Sequence, residues 1–440
     1  MKVIEGFPSA KLALSRQAPT ELYPVSPVLR QRLMEMFGVE DSEMAVKQII
    51  DEVRKRGDAA LFDYTLKIDG VRLTSLEITK KQIDSAYREV DAELVSALKL
   101  AAERIRAFYT AQKDNISGGI TLPGLGQLIR PLERVGIYVP GGTASYPSTV
   151  LMTAIPARVA GVREIILVTP PRADMLVSPL TLVAADIAQV DRIFSVGGAQ
   201  AIAALAFGTD SVPKVDKICG PGNIFVVLAK KMVYGVVGID GLQGPSEVVI
   251  IADETANPEY CAADLLAQAE HDALASAILI TTSRRLADEV NRLVKQQLAD
   301  LPRQAIAAES LGGRGVIAVV ASVDEAIELS NLYAPEHLCL MVDKASSYID
   351  RISNAGCIVI GDKATVVLGD YVAGPSHVLP TGGTARFSSP LNVSDFIKLT
   401  SLITVDEAGL RELGPSAQAM ASAEGLDAHA WAVEKRLGKD

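Results

Sequence analysis

Four histidines occur in 440 residues, and each has a carboxylate or carboxamide near it in the chain. His271 ends Gln-Ala-Glu-His at 268–271, and His337 follows Glu336 in Pro-Glu-His-Leu at 335–338. His377 lies seven residues after Asp370, and His429 five after Glu424. Imidazole is the commonest metal ligand and the side chain that titrates nearest neutrality. So small a set, so accompanied, points to one shared site and to a metalloenzyme.

The spacing says how such a site is assembled. Asn257 is a good N-cap and Pro258 suits the first helical position, which predicts a helix over 258–270 with Gln268 and His271 on one face near its end. The partial negative charge there favours a cation, although the same amide and imidazole could instead cap the last carbonyls. Asp370, between Gly369 and Tyr371, and His429 are candidates for the remaining donors of a hard-to-borderline cation, while an Asp beside Gly also commonly caps a turn. Glu336 and His337 pair a carboxylate with an imidazole of near-neutral pKa. General acid–base work on an alcohol or water needs that pairing, and a solvated helix end would show it too.

Around these residues the pattern is α/β. Apolar positions three and four apart predict helices over 40–56 and 91–113. Strands are expected over 135–139, 165–168, 192–196 and 217–219, with helices over 149–160, 180–189, 199–207 and 224–233 between them. A second alternation predicts strands over 248–252, 277–281, 316–320, 339–342 and 357–360, and helices over 258–270, 285–298, 323–332 and 348–353. A Gly-, Pro-, Ser- and Thr-rich stretch over 362–392 leads to a charged helical tail over 406–439. Glycine clusters at 141–142, 197–198 and 220–223 each follow a predicted strand, where the carboxyl ends of a parallel sheet line a ligand crevice. No Gly-x-Gly-x-x-Gly fingerprint occurs, and tight turns also favour glycine after strands.

Composition narrows the function. Hydrophobic residues make up 49% and aromatic ones only 5%, the palette of buried parallel strands and packed helices. A net charge of -10 argues against a nucleic-acid or anionic-membrane surface. No apolar stretch reaches membrane-spanning length, and residues 1–17 lack the core of a secretion signal, so a soluble cytoplasmic protein is expected. The four cysteines show no Cys-x-x-Cys spacing, which speaks against a disulfide framework or thiolate zinc site.

Taken together, the motifs resemble the histidinol dehydrogenases, zinc- and NAD-dependent enzymes of the last two steps of histidine biosynthesis. The resemblance runs from about residue 49 to the C-terminus. It rests on Tyr-Val-Pro-Gly-Gly at 138–142, Val-Gly-Gly-Ala-Gln-Ala-Ile-Ala-Ala-Leu-Ala at 196–206, Gly-Pro-Gly-Asn at 220–223 and Gly-Pro-Ser-Glu at 244–247. To these it adds the motifs at 268–271 and 335–338, Gly-Asp-Tyr at 369–371 and His-Val-Leu-Pro-Thr at 377–381.

The resemblance implies zinc bound by Gln268, His271, Asp370 and His429, with Glu336 and His337 handling protons. It implies contacts to L-histidinol from Ser246, Tyr371, His377 and Glu424 as well as from the ligands and the catalytic pair, and NAD contacts from Tyr138, Gln200 and Asn223. It also implies an intertwined homodimer in which Glu424 and His429 act in the partner's site. The fold it implies is two incomplete Rossmann-like parallel-sheet domains with a helical N-terminal lead-in and a C-terminal helical tail. The expected segments are an N-terminal piece over 1–29, a main domain over 30–137 plus 247–391, an inserted NAD-binding domain over 138–246 and a dimerisation tail over 392–440.

Some positions depart from the family pattern. Ala334 stands where Gly is more common, Ser376 where Asn is, Tyr109 where His is frequent, and Leu399 where a basic residue is frequent; the first 30 residues match poorly. The expected chemistry is alcohol deprotonation by His337, water activation by Glu336 and two hydride transfers. Three rivals are a thiol mechanism at Cys219, another small amino or sulfonated alcohol as substrate, and a non-catalytic zinc scaffold.

Overall fold

Uninterrupted runs of Val, Ile and Leu form strands buried on both faces, as a parallel sheet covered by helices requires. The computed structural model describes residues 1–16, 27–116, 119, 121–141, 145–173 and 177–438. Its strands in chain order are β1 (Lys2–Glu5), β2 (Thr121–Leu122), β3 (Leu125–Pro131), β4 (Arg134–Tyr138), β5 (Glu164–Thr169), β6 (Arg192–Ser195) and β7 (Lys217–Cys219). They continue with β8 (Gly238–Ile239), β9 (Glu247–Ala252), β10 (Ser276–Thr281), β11 (Val316–Val319), β12 (His337–Met341), β13 (Cys357–Ile360) and β14 (Ile397–Ile403).

Two parallel sheets carry the α/β body. One runs β6-β5-β4-β7-β8 and the other β1-β11-β10-β9-β12-β13. Both are wound alike: the chain steps outward from a central strand twice, then returns to that strand's other side. The reversal lies between β4 and β7 in the first sheet and between β9 and β12 in the second, and such a switch point leaves a crevice for a ligand. Nearly every expected strand and crossover helix in 135–360 lies within a few residues of its expected place.

The packing divides the chain differently from the expected segments. β4 belongs to the five-stranded sheet, and the helix Ser42–Arg56 packs on the helices Gly198–Phe207 and Ile224–Val233 that cover one face of that sheet. The long helix Ala92–Ile116 packs on the helices Pro147–Ala160 and Pro179–Ile187 that cover the sheet's other face. Residues 42–116 are therefore a cover for this sheet, although the expected segments place them with the other. β1, from the stretch that matched poorly, completes the six-stranded sheet beside β11.

Three local expectations also change. The strand expected from 339 begins at His337, which puts that residue on β12 and not in the loop before it. Asp370 lies in the last turn of a short helix, Val366–Tyr371, and not in a free turn. The helix expected over 348–353 is a 3-10 turn, Ala345–Arg351. A third, antiparallel sheet, β14-β3-β2, was not expected at all; its strands are largely exposed and so lack the period-2 burial that gives a strand away.

Candidate active site

β9 and β12 lie side by side in the six-stranded sheet, and their amino ends, opposite the crevice side of the switch point, bring Glu247 against Glu336 and His337. The backbone N–H of Glu247 donates to Glu336 Oε2 at 2.8 Å. Both Glu336 and His337 are only 6% exposed. Burial, eased by the neighbouring imidazole and that N–H, pushes the Glu336 carboxyl up to about 7. His337 Nδ1 lies 3.8 Å from Glu336 Oε2, and its Nε2 lies 3.4 Å from Asp370 Oδ1. Burial opposes the imidazolium, but Asp370 and Glu336 outweigh it and raise the His337 pKa.

Asp370 is the hub of the cluster. Its carboxylate is disfavoured by burial, yet the facing imidazoles, His337 first, hold it below the usual range. Its backbone carbonyl lies 2.8 Å from His377 Nδ1, whose other nitrogen is 3.3 Å from Thr149 Oγ1. Thr149 sits in the helix Pro147–Ala160 of the five-stranded half, so this bond ties the two halves of the chain together. Burial pulls the His377 pKa down, with Asp370 opposing.

Gln268 and His271 come from the helix Pro258–Ala269 and the turn after it, started by Asn257 and Pro258 as expected. Gln268 is 4% exposed, and its amide nitrogen has no hydrogen-bond partner among the described residues. His271 is open to solvent, yet the protein around it lowers its pKa, with Asp370 the next and opposing influence. Ser246 directly precedes β9, and Tyr371, 54% exposed, forms the rim beside Asp370. Glu424 and His429 are not part of this cluster. Both are exposed on the tail, and no hydrogen bond or ion pair ties either side chain to the other site residues.

A second cluster lies at the switch point of the five-stranded sheet. The Tyr138 hydroxyl, at the carboxyl end of β4, accepts from the Gly198 N–H at 3.1 Å, and burial raises its pKa to about 12. Gly198, at φ 63, opens the helix Gly198–Phe207, whose Gln200 is fully buried with neither amide atom hydrogen-bonded among the described residues. Asn223 Oδ1 caps the next helix, Ile224–Val233, by accepting from the N–H groups of Phe225 and Val226. Gly142, the last residue of the 138–142 motif, lies outside the described residues. Cys219 between these elements is fully buried with its thiol pushed well above its usual range by desolvation, which removes it as a nucleophile.

Some functional contacts escaped the sequence reading. Arg16 donates to Glu247 Oε2 at 2.7 Å and lies over the Tyr333 ring, so the N-terminal stretch reaches the residue beside Glu336. Two of the noted departures meet: the Ser376 N–H donates to the Tyr109 hydroxyl at 2.8 Å, which in turn donates to the Leu391 carbonyl at 3.0 Å. Tyr109 thereby anchors the loop that carries His377. Pairs more than 200 residues apart leave no signal in local spacing.

As a donor set, Gln268, His271 and Asp370 offer oxygen and imidazole to a borderline divalent cation with no thiolate. Among the described residues no three His, Cys, Asp or Glu side chains within this chain suffice to hold a metal ion. No described helix is long and apolar enough to cross a membrane.

The family model of histidinol dehydrogenase matches residues 34–437. The histidinol dehydrogenase of Dehalococcoides mccartyi is 58% identical over 437 residues, covering 99% of this chain and all of that one. That of Deinococcus radiodurans is 49% identical over 444 residues, with the same shares covered. The crystal structure of histidinol dehydrogenase from Elizabethkingia anophelis matches with a TM-score of 0.91 at 37% identity, covering 100% of this chain and 98% of that one.

Proposed function

This chain belongs to the histidinol dehydrogenase family of oxidoreductases, and from that premise we propose that it oxidises L-histidinol through L-histidinal to L-histidine in two hydride transfers to NAD. The observation that carries the reading is the buried Glu336–His337 pair set against Asp370, a proton acceptor of near-neutral pKa beside an imidazole.

His337 presents Nε2 toward the cluster and is the group that takes the alcohol proton. Glu336 lies on its Nδ1 side, 3.8 Å away. With a pKa of about 7, Glu336 is also poised to take a proton from the water that hydrates the aldehyde. His337 returns its proton to the former carbonyl oxygen as the hydrate forms, and the hydrate then gives its C–H hydride to a second NAD and an O–H proton to His337, leaving the carboxylic acid. Ser246, Tyr371 and His377 line the substrate's place, and the Thr149 and Asp370 contacts hold the His377 ring in one orientation.

Zinc, when bound by Gln268, His271 and Asp370 with His429 of a second copy, supplies a template and Lewis acid for the amino alcohol. The oxygen and nitrogen donors, and the buried unpartnered amide of Gln268, suit such an exchangeable site. NAD, when bound along Tyr138, Gln200 and Asn223, supplies the hydride acceptor. The switch point and the orphaned, fully buried Gln200 amide at a helix N-terminus support that assignment.

We assign the five-stranded unit to the cofactor, the six-stranded unit to metal and chemistry, and residues 392–440 to a homodimer in which Glu424 and His429 complete the partner's site. Exposed Leu399, Leu402, Ile403, Leu413, Met420 and Trp431 on that segment support a covered face. Four free cysteines fit a reducing cytoplasmic setting. The test is chelation: L-histidinol oxidation should vanish on metal removal and return with zinc while the protein stays folded. Full activity in rigorously metal-free protein would contradict the role of zinc, and unfolding on chelation would favour a scaffold site.

A further inference from the structure

Lys230 and Asp240 form an ion pair that is 1% and 2% exposed. Lys230 Nζ donates to Asp240 Oδ1 at 2.5 Å, to the Gly220 carbonyl at 3.0 Å and to Gln243 Oε1 at 3.0 Å, which uses all three ammonium protons. Asp240 Oδ2 accepts from the Gly220 N–H at 2.7 Å, and Oδ1 accepts from the Gly241 N–H at 2.8 Å. One ion pair thus grips both the N–H and the C=O of Gly220.

Gly220 begins the turn after β7, on the switch-point side of the sheet. Its φ of +114 is a glycine conformation, and a Cβ there would stand 2.1 Å from the Tyr138 carbonyl oxygen. The turn is therefore pressed against the end of β4 and held from behind by the ion pair. Gln243 extends the hold to the linker, where the Gly244 N–H donates to Thr381 Oγ1 at 2.6 Å just before Ser246. Burying two charges is costly, and an apolar residue at 230 would pack the helix Ile224–Val233 with less penalty. Packing alone does not explain the pair.

We propose that Lys230 and Asp240 are positioning residues for the cofactor: they hold the turn Gly220–Asn223 in the shape that receives the dinucleotide. This rests on the assignment of NAD to the five-stranded unit. The test compares the unaltered dimer with Lys230→Met/Asp240→Asn, which neutralises both partners together and so leaves no unpaired buried charge. NADH affinity is read directly from NADH fluorescence, alongside KM for NAD and for L-histidinol.

The double variant should fold, bind NADH about tenfold more weakly or worse, and raise KM for NAD alone. Wild-type NADH affinity in the folded double variant would overturn the role of the pair, as would equal rises in both KM values, the mark of a generally loosened fold. Should the double variant not fold, Gln243→Ala decides, because it removes only the third acceptor of Lys230: weaker NADH binding supports the proposal and unchanged binding overturns it. Absence of NADH binding by the unaltered protein would instead overturn the cofactor assignment and this proposal together.

Discussion

In the proposed chemistry Glu336 serves as a carboxylate that burial raises to about 7. Replacing His337 by Asn should slow the first oxidation by about 10²–10⁴-fold, the usual size of a general-base loss. Replacing Glu336 by Gln should spare oxidation of the alcohol and impair oxidation of the aldehyde. Rapid kinetics with L-histidinol and L-histidinal supplied separately would check both, and the opposite pattern would exchange the two roles. At this scale the meeting of Glu336, His337 and Asp370 was legible, because each stands in a short motif that drew attention to it. Thr149, Arg16 and Tyr109 were not, because each acts through a bond to a residue distant in the chain.

At the level of elements, most strands and crossover helices from 135 to 360 announce themselves by period and length, but β8 and the helix Gln304–Arg314 do not. β2, β3 and β14 do not, since strands exposed on both faces have no alternation to detect. The helices over 40–116 were legible as helices, but not the sheet they cover. One of their turns carries a testable cost. Asp69 ends the turn Thr65–Asp69, its Oδ2 has no hydrogen-bond partner among the described residues, and burial raises its pKa from 3.8 to about 6. A carboxyl whose folded pKa is raised adds stability below the unfolded pKa and loses it as pH rises through the folded one. A rise of that size would be worth about 3 kcal/mol if fully desolvated, and partial exposure cuts this to about 1 kcal/mol. Asp69→Asn should therefore leave stability little changed near pH 3.5 and raise it above about pH 6, read by urea unfolding at each pH. A pH-independent difference would contradict the burial account.

For the whole molecule, the tail poses the main question, because Glu424 and His429 stand away from the cluster in a single chain while the strand before them exposes both faces. If His429 acts in the other subunit, His337→Asn and His429→Ala should each be inactive alone. Random reassembly of the two then restores about a quarter of wild-type activity, since half the dimers carry one intact site of two. No recovery in verified mixed dimers would place His429 outside a shared site.

The stoichiometry of the reaction is the most direct measurement. NADH formed by the purified protein should be counted against L-histidinol consumed, with the product identified. About two NADH per molecule, with L-histidine as product, is the predicted result for the double oxidation. One NADH with released aldehyde, or none, would contradict it.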